Sequence, residues 1–277
     1  MPQTFTTELK LLASGIAMGE SPRWHDGRLW FSDWGAQEIL TIDANGNKEL
    51  VLKVPFALPF SIDWLPNGQL LVVSGREGLL YRQEPDGSLA IHADLSSLAA
   101  GWNEIVVDGR GNAYINSAGA IALVTPDGQV QKVADGGAFP NGMAVTSDNA
   151  TLILAESHGH CLTAFDIAAD GTLSNRRLWA DLAGHYPDGI CLDAESAAWY
   201  ADVPNKCCVR VREGGEVLQT VALDRGCFAC MLGGANNQTL FLVANEWRGM
   251  DKIPETVLAR TGQILAMDAP ALGAGWP

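Results

Sequence analysis

A chain of 277 residues, 47% of them apolar, is long enough to bury a sizeable core. Its 32 acidic and 18 basic residues give a formal charge of −14, which excludes the clustered Lys and Arg that phosphate binding requires. No segment approaches the roughly 18 uncharged apolar residues of a membrane span, so neither nucleic acid nor a membrane is an expected partner.

From the N-terminus, Leu9–Ala17 reads as a strand. Glu8 and Lys10 interrupt the chain ahead of Leu11 and Leu12, so no signal peptide is read and a cytoplasmic location is expected. Glu20 then opens a segment ending in the strand Leu29–Ser32. Ser61 opens a similar one, with Leu70–Ser74 as its strand. Ser96–Ala100 reads as one helical turn. Asn103, Asn141 and Asp188 open three more segments, carrying the runs Ala120–Thr125, Thr151–Ala155, Leu162–Ile167 and Ala198–Ala201. A last start near Phe228 leads to Leu240–Ala244. The shared grammar is a polar residue, a short apolar strand, an Asp-centred turn and a second strand. Asp26-Gly27, Asn45-Gly46, Asn67-Gly68, Asp86-Gly87, Asp127-Gly128 and Asp170-Gly171 supply tight turns between strands. No long stretch carries a 3.6-residue period.

The starts at 20, 61, 103, 141, 188 and 228 are 38 to 47 residues apart. A unit of about 40 residues with four short strands is one propeller blade. The chain is therefore expected to be all-β, a single six-bladed propeller over residues 1–277. The sixth unit is one strand short, and Leu9–Ala17 is expected to complete it, which removes a free edge.

In a propeller, equivalent starts of the inner strands converge at one mouth of the central channel. Glu20 and Asp188 bring two carboxylates there, and Asn103 and Asn141 bring amide oxygens. Hard oxygen donors with two negative charges suit Ca²⁺, Mg²⁺ or Mn²⁺. Asn141-Gly142 and Asp188-Gly189 taken alone also read as ordinary turns.

The segments Gly19-Glu20-Ser21-Pro22, Trp102-Asn103-Glu104, Pro140-Asn141-Gly142 and Pro187-Asp188-Gly189, with Gly262-Gln263-Ile264, resemble the gluconolactonase–regucalcin (senescence marker protein) family. The resemblance spans nearly the whole chain. It implies a six-bladed propeller, lactonase activity and one divalent metal, Ca²⁺ first, with Mg²⁺, Mn²⁺, Zn²⁺ and Fe²⁺ open. It also implies that Glu20, Asn141 and Asp188 hold the metal, that Asn103 lies near metal and substrate, and that Asp188 is the general base. Related propellers hydrolyse organophosphates, and others only bind calcium or partner proteins, so fold alone does not fix the activity. One departure is Gly101, where sugar-lactone members often carry Arg. Arg76 and Arg248 are the candidate replacements.

Trp102, Glu104, His158 and Tyr186 are further candidates for substrate contact, with Trp30, Trp34 and Phe139 near the rim. Packing between blades is the plainer reading of most tryptophans. His158, His160 and His185 could form a proton relay or simply occupy loops. Cys227-Phe-Ala-Cys230 has zinc-like spacing, with Cys207-Cys208 upstream, though buried thiols in strands explain all six cysteines. The expected partner is a small lactone, and the chain is expected to be a monomer or small homo-oligomer.

Overall fold

In a computed structural model, which describes residues 8–276, the chain forms six antiparallel sheets arranged as a β-propeller. The inner strands are Gly19–His25, Phe60–Trp64, Ile105–Val107, Pro140–Val145, Pro187–Asp193 and Gly226–Gly233. Each packs against the inner strand of the next blade, and the sixth returns to the first. Three further strands follow outward in every blade. The short linkers follow from turn chemistry. Asp26 and Gly27 join His25 to Arg28 with φ of 48° and 73°, the two positive values a tight hairpin needs. At the same ends of two other inner strands, Asp108 Oδ1 accepts the N–H groups of Arg110 and Asn112 at 2.9 Å. Asp193 Oδ1 does the same for Glu195 and Ala197.

The ring closes as the strand count requires. Lys10–Ile16 pairs antiparallel with Gly262–Asp268 and forms the outer strand of the sixth blade. Chain segments from both ends thus hold one sheet together. The C-terminal residues continue past it. Gly273–Ala274 pairs with Leu192 and Asp193, and Trp276 bridges to Val145.

The core lies between blades. Trp102 and Trp199 are fully buried, the first among Leu71, Val73 and Ile115, the second between blades five and six. Burial therefore takes Trp102 away from any substrate. Cys191, Cys208, Cys227 and Cys230 are buried in the largest apolar cluster, and all six cysteines are free thiols. Residues 96–98 make only a turn, closed by Leu98 N–H to Leu95 O at 3.0 Å, not the helical turn expected there. The helix Ile253–Ala259 was not expected. It has Pro near its start, Glu255 in its first turn and Arg260 left-handed at its end, signals that a seven-residue helix hides from periodicity. No helix among the described residues is long and apolar enough to cross a membrane.

Ile16 sits at the end of the closing strand and is wholly buried in the largest cluster. Ile16→Ala is expected to destabilise the fold by about 2–5 kcal/mol through lost burial and a residual cavity. Urea unfolding of the two proteins measures this. A loss under about 1 kcal/mol would mean that the N-terminal strand does not lock the ring.

Candidate functional site

Glu20, Asn141 and Asp188 are each the second residue of an inner strand, and Asn103 lies just ahead of a third. All four line one cavity of about 400 Å³ at the mouth of the channel. A break in strand register aims three of them. The pairing of each inner strand with its neighbour slips between Glu20 and Arg23, between Pro140 and Met143, and between Pro187 and Ile190. Such bulges bend a strand and redirect its side chains.

The glycines beside two of these residues do not serve turns. A Cβ on Gly142 would lie 2.6 Å from the Asp188 carbonyl oxygen. A Cβ on Gly189 would lie 2.6 Å from Ala229 Cβ. Asn141-Gly142 and Asp188-Gly189 are therefore places where neighbouring inner strands touch.

A second set of side chains fixes the loops that lead to these residues. The second strands of the blades end in buried polar residues, among them Asp33, Glu156 and Asp202. Asp33 accepts the N–H groups of Ala17 and Met18 at 3.0 and 2.9 Å. Glu156 accepts that of Ala138 at 2.8 Å, and Asp202 that of Tyr186 at 3.1 Å. Each bond falls two or three residues before Glu20, Asn141 or Asp188 in the same blade.

Hydrogen bonds also link the amides on the floor. Asn103 Nδ2 donates to Asn141 Oδ1 at 2.8 Å, and Asn141 Nδ2 donates to Ser157 Oγ at 3.1 Å. The Ser157 hydroxyl continues to Pro187 O at 2.7 Å. The carboxylates have far less. Glu20 accepts one weak bond, from Ser21 N–H at 3.3 Å, and none reaches the Asp188 carboxylate among the described residues. Burial pushes the Glu20 pKa well up, and the charges of Asp188 and Glu104 push it further. Asp188 is raised by burial, then by Glu104 and Asp202. The guanidinium of Arg23, on the strand that carries Glu20, is spent elsewhere. It bonds Glu104 at 3.1 Å and Ile105 O at 2.5 Å, and approaches Asp63 to 3.7 Å. Among the described residues no Lys or Arg lines the cavity. Two carboxylates and an amide oxygen, facing one space without a cation of their own, fit a divalent ion of hard-oxygen preference. Glu20, Asp188 and Asn141 Oδ1 would hold it, with Asn103 alongside.

The other sequence candidates separate. His158 and Tyr186 line the cavity, as do Trp34 and Phe139. The Phe139 ring stacks on His158 at 4.5 Å, from a backbone φ of 60°. Glu104 does not reach the cavity. It lies one layer down, accepting from Ser21 Oγ and Arg23 and from Ile105 N–H. Trp30 packs edge-on against Trp64 at 5.0 Å, away from the mouth. Arg76 and Arg248 do not line it, and Arg248 pairs with Glu246. The three histidines form no relay into the cavity. His160 Nδ1 contacts His185 O at 2.6 Å, and His185 Nδ1 contacts Asp202 at 2.8 Å. The nitrogen, oxygen and sulfur of His185, Asp202 and Cys207 lie within 4.8 Å of one another, but the Asp202 oxygens are already taken by His185, Tyr186 N–H and Asn205. Ser157, Trp247, Met250 and Ile253 also line the cavity and carry no motif that marks them in sequence.

Residues 18–246 match the family model described as the SMP-30/gluconolactonase/LRE-like region. The chain belongs to that family. It is 26% identical to human regucalcin over 271 residues, covering 90% of this chain and 89% of that one. Its fold matches a calcium-binding regucalcin from Agrobacterium tumefaciens strain C58 with a TM-score of 0.77, at 20% identity over 97% of this chain and 95% of the other. A gluconolactonase from Xanthomonas campestris matches with a TM-score of 0.74, at 21% identity over 95% and 90%.

A carboxyl whose folded-state pKa is raised favours the fold while protonated. That contribution is complete below its ordinary value, 4.5 for Glu20 and 3.8 for Asp188, and is lost as pH climbs through the raised value. In chelator, the melting temperature is therefore expected to fall as pH rises above about 5. Glu20→Gln should flatten that fall. Identical pH profiles for the two proteins would contradict the electrostatic reading of the site.

Proposed function

We propose that this member of the family is a divalent-metal-dependent hydrolase that opens lactones to hydroxy acids. The observation that carries the reading is the pair of carboxylates, buried Glu20 and half-buried Asp188, with no Lys or Arg beside them and few donors, at the floor of a cavity open to small molecules. A platform for protein partners has no need of such a pair. The gluconolactonase and calcium-binding regucalcin folds named above agree with it.

When bound, a divalent cation supplies Lewis-acid polarisation of a carbonyl oxygen. The residues of the chain do the rest. Glu20, Asn141 and Asp188 fix the position of the ion. Asp188 takes the proton of the attacking water on its carboxylate. It returns that proton to the ring oxygen, which leaves as an alcohol. Asn103 keeps the Asn141 amide turned inward through their 2.8 Å bond. Phe139 and His158, stacked at the rim, limit the entry of bulk water.

Asp188→Asn keeps the size of the side chain and an oxygen ligand but removes the base. At saturating metal, turnover is expected to drop about 10²- to 10⁴-fold with the fold intact. Acid release from a lactone, followed by pH-stat with spontaneous hydrolysis subtracted, measures it. Turnover near that of the wild type would assign proton transfer to another residue.

The missing cations also bear on selectivity. With Gly101 lining the cavity and no Lys or Arg in its walls, few donors await sugar hydroxyls, which must still lose their water on entry. Lightly hydroxylated γ- and δ-lactones are expected to be turned over as well as, or better than, gluconolactone. A steep rise of kcat/KM with the number of ring hydroxyls would contradict this.

A further inference from the structure

One side of the cavity is apolar, and it is built around one insertion. In five blades the second and third strands are joined by two to four residues. In the sixth, residues 246–261 lie between Thr239–Asn245 and Gly262–Asp268 and include the only helices among the described residues. The insert is firmly docked. Thr256 is fully buried, and a Cβ on Gly35 would lie 2.8 Å from a Val257 methyl. Arg260 Nε donates to Gly15 O at 3.0 Å, and Thr261 Oγ1 donates to Asn245 Oδ1 at 2.6 Å. This docking presents Trp247, Met250 and Ile253 to the cavity. Trp247 meets Phe228 edge-on at 5.6 Å, and Trp34 and Leu58 continue the surface from the first two blades. Blades six, one and two are adjacent in the ring, so these six residues form one apolar flank. The wall across from it is mixed, with Ser117, Ser157 and His158 beside Ala118, Phe139 and Tyr186. Met250 is a large apolar side chain standing 64% exposed at the mouth.

We infer that the flank formed by Trp247, Met250, Ile253, Phe228, Trp34 and Leu58 is a subsite for an alkyl or aryl substituent carried on the lactone ring. This rests on the lactonase reading of the floor and adds the class of substrate. The ring sits over Glu20, Asn141 and Asp188, and the substituent lies against the insert. Hydroxylated substituents gain nothing there, because none of the six side chains offers a charged partner. An alkyl chain gains by leaving water, at about fourfold per buried methylene. The polar floor fixes the reacting group and the flank selects what is attached to it.

The test is kcat/KM for γ-lactones bearing 4-alkyl groups from methyl to octyl, at saturating divalent cation. The expected result is a rise of about threefold to fourfold per methylene over the first several carbons. Met250→Asp and Ile253→Asp each place a charge on the flank and should lower the long-to-short ratio at least about tenfold. Leu258 lies on the same helix as Ile253, 81% exposed and outside the cavity, and Leu258→Asp should leave that ratio unchanged. The matching 4-alkyl γ-lactams, which resist hydrolysis, report the subsite apart from turnover. Their calorimetric affinity should rise with chain length in the wild type and lose that dependence in Met250→Asp. Lactam binding that follows chain length without turnover of any lactone would overturn the hydrolase and support the subsite. Turnover and lactam affinity that are both independent of chain length would overturn the subsite, as would a ratio lowered equally by Leu258→Asp.

Discussion

Glu20 and Asp188 face one cavity, and no Lys or Arg among the described residues lines it to meet them. Two like charges held in a low-dielectric site are costly unless they are protonated or neutralised. Much of the molecule is organised around keeping them there. Glycines at 142 and 189 let the inner strands close to contact, and register slips redirect the side chains of Glu20, Asn141 and Asp188. Asp33, Glu156 and Asp202 tether the loops that lead into those strands. Arg23 could neutralise a carboxylate, but it is held one layer below by Glu104, Asp63 and a carbonyl. Asp63 illustrates the cost even with that partner, since burial pushes its pKa up to about 6.

The propeller was legible because its repeat has a fixed grammar. A polar start, an apolar strand, an Asp-centred turn and a second strand recur at Glu20, Asn103, Asn141 and Asp188, and the starts at Ser61 and Phe228 keep the same spacing. The closing strand was legible by elimination, because the sixth unit lacked one and an unpaired edge is unfavourable. The convergence of Glu20, Asn103, Asn141 and Asp188 followed from repeat phase alone, since equivalent positions of equivalent blades meet at the axis.

What sequence did not give is what depends on side-chain direction. Trp102 and Glu104 flank Asn103 in the chain, yet one enters the core between blades and the other turns below the floor. Neighbours along a strand point to opposite sides, so proximity in sequence to a site residue is a poor guide to membership. His185 is likewise three residues from Asp188 but faces Asp202. The inserted helix escaped because seven residues show too little periodicity, and with it went Met250 and Ile253. The insert breaks the repeat, and it is the part that most distinguishes this cavity from a ring of equal blades.

Polar floor and apolar flank therefore come from different sources. The floor is a property of the repeat, and the flank is a property of one departure from it. The account stands on the claim that a single divalent ion sits between Glu20, Asn141 and Asp188. Crystals soaked in Mn²⁺ and measured for anomalous scattering test it most directly. The account predicts one strong peak per chain, within about 2.0–2.6 Å of oxygens of those three side chains. A strongest peak at His185, Asp202 and Cys207, or no peak at the channel mouth at saturating Mn²⁺, would contradict it.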